Sequence, residues 1–165
     1  MTGAHVRSAT ADDAASLADI YNHFIATSTI TFEEEPVTPA EMAQRLAHVA
    51  AIPLPWLVAT LEGAVAGFAY AHKWKPRAAY RHSVEITVYV RDGHGGRGIG
   101  SLLYERLIGD LRTRGVHAVI GGVALPNDAS LRLHRKFGFE QVAHFRGVGF
   151  KFDRWIDVTY WELIL

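Results

Sequence analysis

One short stretch of the chain invites chemistry before any other. Gly95-Gly96-Arg97-Gly98-Ile99-Gly100, followed by Ser101, joins an apolar segment ending at Val90 to a run with Leu103, Leu107 and Leu111 at four-residue spacing. Glycines permit positive φ and let backbone N–H groups come close to a ligand. Those groups, together with a helix N-terminus, make an anion site suited to a pyrophosphate. Two phosphate motifs can be compared with it and neither fits. A P-loop requires Lys and then Ser or Thr after its last glycine, whereas Gly100 runs directly into Ser101. The dinucleotide fingerprint requires G-x-G-x-x-G, and the chain reads Gly96-x-Gly98-x-Gly100. By itself the stretch is either an anion cradle or a plain flexible turn.

Three further groups of residues carry reactive or charged side chains. Glu85 shares a strand face with Thr87 and Tyr89, opposite Val84, Ile86 and Val88. A carboxylate there either faces solvent or takes a proton. Between Glu62 and Glu85 there is no acid, yet Lys73, Lys75, Arg77 and Arg81 all occur, with Trp74 and Tyr80 among them. That loop is either a solvated surface or a clamp for a carboxylate, with Arg suited to bidentate pairing and Lys acting as a point charge. Asn127 stands at a helix start, with Ser130 and His134 following it. As a bare pattern this is a helix cap plus a histidine packed against the core.

Composition narrows the classes. The chain has 165 residues, 17 Lys plus Arg, 17 Asp plus Glu, nine His and no Cys. About this length is usual for one domain, so a single domain over residues 1–165 is expected. The absence of Cys excludes disulfides, thiolate nucleophiles and Cys zinc sites. It also rules out a thiol acyl-enzyme and suits a reducing compartment. The histidines show no HExxH-type spacing, so no metal is expected. Zero net charge and the lack of a recognised motif argue against a nucleic-acid partner. The first residues lack a basic region followed by an apolar one, and apolar runs are broken by His48, Pro53, Pro55 and Glu62. The expectation is a soluble, cytoplasmic protein without a membrane partner.

These residues must be held by elements legible in the pattern. A strand is expected at His5–Ala9 and an amphipathic helix at Asp12–Ala26, from Leu17, Ile20, Tyr21 and Phe24. Thr27–Val37 reads as a loop. Thr38 caps a helix that has Pro39 at its first position and Glu41 three residues after the cap. Trp56–Leu61 and Ala64–Tyr70 form a hairpin over Glu62-Gly63, and His72–His82 is a cationic loop. Ser83–Val90 is a strand, Ser101–Arg114 a helix ending at Gly115, and Ala118–Val123 a strand. Ala129–Phe137 is a short helix, and Phe139–Phe145 and Ile156–Ile164 are closing strands. The order is that of a mixed α/β (α+β) domain.

Gly96-Arg97-Gly98-Ile99-Gly100-Ser101 between strand and helix resembles the acyl-CoA loop of the GNAT N-acetyltransferase superfamily. About 30 residues on, Asn127-x-x-Ser130-x-x-x-His134-x-x-x-Gly138-Phe139 resembles its next segment. Val84–Val90, Trp74-Lys75-Pro76, Thr31–Pro36, Gly149–Phe152 and Trp155–Val158 look like the phosphinothricin / methionine sulfoximine N-acetyltransferase branch. The resemblance implies a twisted, mostly antiparallel sheet of about seven strands with about four helices. It implies acetyl-CoA as cosubstrate, a small amino-acid-like amine as substrate, direct attack in a ternary complex, and a homodimer. It further implies that Glu85 draws the amine proton and that His134 either protonates the departing sulfur or contacts the cofactor. Val88, Tyr89, Val90, Gly95 to Ser101, Asn127, Ser130 and His134 would hold acetyl-CoA. Phe32, Trp74, Lys75, Arg77, Arg81 and Glu85 would hold the amine substrate. Two positions depart from the branch. Gly95 replaces a usual Arg or Gln, which shifts the expected phosphate charge onto Arg97. Asp153 replaces a usual Gly in a turn. Other readings compatible with the residues are a protein N-terminus, polyamine or aminoglycoside substrate, or a non-catalytic acyl-CoA-binding module.

Overall fold

A computed structural model describes residues 3–165. Seven strands, β1 (His5–Ser8), β2 (Trp56–Leu61), β3 (Ala64–Lys73), β4 (Ser83–Val90), β5 (Ala118–Ala124), β6 (Glu140–Lys151) and β7 (Arg154–Ile164), form one sheet. Its order is β1-β2-β3-β4-β5-β7-β6. Four α-helices, α1 (Ala14–Thr27), α2 (Pro39–Ala51), α3 (Ile99–Thr113) and α4 (Asp128–Lys136), cover it. None of them is long and apolar enough to cross a membrane.

Both sheet faces are buried. Leu57, Ala69, Val84 and Ile86 pack against Leu103, Leu107 and Leu111 of α3. On the other face Val58, Phe68 and Tyr89 pack against Leu17, Ile20 and Met42 of α1 and α2. Strict alternation along β4 therefore separates two cores rather than a core from water. The Glu85 face is not a solvent face.

One strand pair decides where a ligand fits. Every neighbouring pair is antiparallel except β4 with β5, which is parallel. That pair is matched only from Ser83↔Ala118 to Glu85↔Ile120. Both strands run on, to Val90 and Ala124, so the sheet splits just past Glu85. Beyond the split, the β4 main chain on that side has no strand partner, and buried backbone groups must be satisfied by something.

Several boundaries differ from the sequence reading. β3 continues through His72 and Lys73, because these pair with Glu85 and Val84 of β4. The cationic loop is accordingly shorter, is closed by Trp74 N–H on Ser83 O at 3.3 Å, and carries a 3-10 turn at Ala78–Tyr80. α3 begins at Ile99, inside the glycine stretch. The last two strands form one long hairpin turning at Phe152 and Asp153, with φ of 52° and 54°. The left-handed turn expected of a Gly is thus kept with Asp, which tolerates it better than most residues. The register slips between Gln141 and Ala143 and between Phe145 and Gly149, irregularities that no alternation pattern announces.

Candidate active site

The split opens into a cavity of about 840 Å³. One end is floored by the turn from β4 into α3. Gly96 and Gly98 have φ of 75° and 80°, a region costly for other residues. Gly98 is the N-cap of α3, and the first intrahelical bond is Leu102 N–H to Gly98 O at 3.0 Å. The N–H groups of Ile99, Gly100 and Ser101 thus have no carbonyl within the helix and face a lining that includes Gly98, Gly100 and Ser101. Arg132 and Lys136 of α4 line the same end, with Lys136 Nζ donating to Ser101 Oγ at 2.8 Å. Arg91 also lines it, but its guanidinium is engaged with Val65 O and Asp19.

Arg97 does not line the cavity, and its side chain is exposed. The cations that line this end are instead Arg132 and Lys136 of α4, together with Arg91. Gly95 does line the cavity, and its missing side chain leaves only open space.

The middle of the cavity is bounded by Ile86 to Val90 on one side and Val123, Ala124 and Asn127 on the other. Asn127 Oδ1 accepts from Ser130 N–H at 3.1 Å, capping α4. His134 follows one turn after Ser130 and is buried at 2% exposure. Its Nδ1 lies 2.8 Å from Ser130 O and its Nε2 lies 3.2 Å from Tyr104 Oη. A carbonyl only accepts, so Nδ1 carries the hydrogen and Nε2 accepts from the tyrosine hydroxyl. Both ring nitrogens are occupied. Burial also holds the imidazole below its ordinary range, so it is neutral. A Cβ at Gly121 would collide with Nε2, so β5 needs Gly there.

Glu85 sits at the other end, at the point of the split. It is one-quarter exposed, and Oε1 would lie 3.3 Å from a Cβ on Gly122 of β5. Burial pushes its carboxyl above the usual carboxylate range, while His72 and Lys75 pull it partly back. Tyr160 of β7 also flanks Gly122, and its phenol is raised by burial and by Glu85. Ile30, Thr31 and Phe32 of the loop after α1 also line the cavity, as does Phe24, which packs on Tyr89 at 5.5 Å.

The expected substrate residues divide accordingly. Phe32 and Glu85 line the cavity. Trp74 and Lys75 stand beside it: Trp74 packs edge-on against Tyr160 at 5.6 Å, and Lys75 Nζ lies 4.6 Å over the Trp74 ring. Arg77 and Arg81 do not reach the lining, and Arg81 donates back to Ala78 O at 3.3 Å. Sequence reasoning missed Tyr104, Gly122, Arg132 and Lys136. Arg132 and Lys136 did leave a signal, two cations four residues apart on one helix face. Tyr104 left none, being one more aromatic in an apolar stripe.

The parts form a coherent binding device. An extended arm can bond to the unpaired edge of β4. Its pyrophosphate end would meet free N–H groups and two cations, and its reactive end would lie near a carboxylate of raised basicity. This fits a long thioester carrier whose acyl group is delivered at the split, and it defines an acyl-CoA-dependent transferase. Residues 6–160 match the model of the acetyltransferase (GNAT) domain. The chain belongs to the GNAT acetyltransferase family. It is 45% identical over 157 residues to phosphinothricin N-acetyltransferase of Streptomyces viridochromogenes, covering 95% of this chain and 85% of that one. It is 36% identical to the L-methionine sulfoximine/L-methionine sulfone acetyltransferase of Salmonella typhimurium, covering 97% and 94%. Its fold superposes with a TM-score of 0.96 and 36% identity on a phosphinothricin acetyltransferase of Sinorhizobium meliloti solved in complex with acetyl-CoA, covering 100% and 89%. The expected enzyme class, acetyl-CoA-dependent N-acetyltransferase, stands.

Proposed function

We propose that the chain moves the acetyl group of acetyl-CoA to the α-amine of a small amino-acid analogue of the methionine sulfoximine or phosphinothricin type. The observation that carries this reading is the position of Glu85 where β4 and β5 part, opposite the phosphate end of the same cavity. The amine nitrogen attacks the thioester carbonyl, a C–N bond forms, and the C–S bond breaks. Glu85 takes the proton that the nitrogen must lose. Its raised basicity suits that task, since a general base works best when its affinity for protons is near that of the medium. Main-chain donors of Val88 to Val90 orient the thioester arm. His134 serves as a positioning group: its neutral ring ties α4 to Tyr104 and sets the wall beside the thioester. The departing thiolate then takes its proton from solvent. Lys75, beside Glu85 and Trp74, is the cation best placed for a substrate carboxylate.

Two copies of the chain associate through the terminal hairpin. β6 is the sheet edge, and Phe145, Val148, Phe150 and Trp155 are each at least half exposed on the hairpin. A long apolar edge is the kind of surface that is covered by a partner. A monomeric mass in solution would refute the pairing. The lack of Cys suits work in a reducing compartment such as the cytoplasm.

The test is release of free thiol from acetyl-CoA with and without L-methionine sulfoximine and phosphinothricin. The chain has no Cys, so its own thiol background is nil. Amine-dependent release with a matching acetylated product is expected, and Glu85→Gln should lower kcat by about 10²-fold or more. No release with either amine, in folded protein that binds CoA, would overturn the substrate assignment.

A further inference from the structure

A base that accepts a proton in each turnover must also discard it. β3 and β4 place His72 directly opposite Glu85, so the two side chains share one sheet face. His72 Nε2 lies 3.8 Å from Glu85 Oε2. His72 Nδ1 lies 3.1 Å from Lys73 O. Because that carbonyl can only accept, Nδ1 carries the hydrogen and Nε2 turns its lone pair toward the carboxyl. The imidazole is 39% exposed and the carboxyl 25%, so the pair leads outward from the cavity to solvent.

We propose that His72 is the proton exit of this site. The step rests on Glu85 being the base. Once Glu85 holds the amine proton, its O–H bond breaks as a bond from Nε2 to that hydrogen forms, leaving a carboxylate and an imidazolium. The imidazolium then passes the proton to water and returns to its starting state. The gap closes to hydrogen-bonding distance by a shift of about 1 Å, or is bridged by one water. Other charged or titratable groups near the pair do not compete. Lys75, which faces Glu85 from the loop after β3, is a cation with no lone pair to offer. Tyr160, facing it from β7, holds its own proton more tightly than usual. Tyr70, beside the imidazole on β3 at 6.0 Å between ring centroids, does likewise. Lys73 is next along the strand and alternates to the opposite face.

The test uses His72→Phe, which keeps a ring on the strand, and His72→Gln, which keeps a polar partner for Glu85 but cannot take a proton. Both should lower kcat, on the order of tenfold, with little change in either KM. Added imidazole should restore the rate, a response that mere loss of packing would not give. The acid limb of kcat/KM should move to higher pH, because the neighbouring His72 lowers the Glu85 carboxyl in the parent. Glu85→Gln is measured alongside. If Glu85→Gln is inactive while both folded His72 variants keep full kcat and ignore imidazole, the exit is overturned and the base assignment stands. If Glu85→Gln keeps its activity, the base assignment fails and takes this inference with it.

Discussion

Replacing Lys151 with Met should damage amine binding through a contact remote from the reacting atoms. Lys151 lies near the tip of the β6–β7 hairpin and is only 2% exposed. Its Nζ donates to Ile25 O at 2.8 Å and to Thr31 O at 2.9 Å. Ile25 is in the last turn of α1, where the helix dipole favours a cation. Thr31 precedes Phe32, whose ring lies so close to Gly149 that a Cβ there would collide with it. The hairpin therefore fastens the loop that puts Phe32 on the cavity rim. Met keeps the length and removes both donors. Each charge-assisted bond is worth about 1.5–3 kcal/mol, and the ammonium no longer has to be desolvated. The net loss is about 3 kcal/mol. For a domain of this size that lowers Tm by about 6–12 °C. If about half of it is expressed as displacement of the rim loop, KM for the amine rises about tenfold. KM for acetyl-CoA should stay within about twofold, since the glycine turn proposed to hold its phosphates lies at the far end of the cavity. Thermal melts and initial rates with each substrate varied in turn measure both effects, and Lys151→Arg should recover part of them. A Tm within about 2 °C of the parent, with an unchanged amine KM, would refute the latch.

Three other outcomes follow from the same geometry. Arg132→Ala should raise KM for acetyl-CoA and leave amine KM alone, read by varying each substrate; equal effects on both would count against a phosphate role for α4. Asn127→Ala should cost about 1 kcal/mol by uncapping α4 and should also weaken CoA binding, measured by melting and by titration with CoA. His134 is held neutral in the fold, so between its lowered folded pKa and the unfolded value of about 6.5 the unfolded chain binds more protons. Stability should therefore rise with pH through that window and be lost on acidification below about 6.5. A melt series in the parent and in His134→Gln should show the slope flattened in the variant.

Much of this protein was legible without coordinates. Residue periodicity and turn chemistry locate the four helices and seven strands, because amphipathic stripes, caps such as Thr38 with Glu41 and glycine stops act within a few residues of one another. The glycine stretch, the Asn127–His134 segment and the strand around Glu85 carry the family resemblance through local motifs. Strand ends were less legible. His72 and Lys73 look like loop residues until β4 supplies their hydrogen-bonding partners.

What only the tertiary structure decided depends on contacts between distant residues. Arg97 and Arg132 are equally cationic in the sequence, but of the two only Arg132 lines the cavity. The surroundings of His134 could not be read from its position along a helix. Ser130 and Tyr104 take both ring nitrogens, and Tyr104 is thirty residues away. Nothing along β4 or β5 says that their pairing stops at Glu85. That depends on which strand lies beside which, and hydrophobic burial specifies a residue's environment without naming its neighbour. The sequence by itself determined which elements form and what chemistry they carry. Packing of those elements determined which side chains meet, and therefore which of them can act.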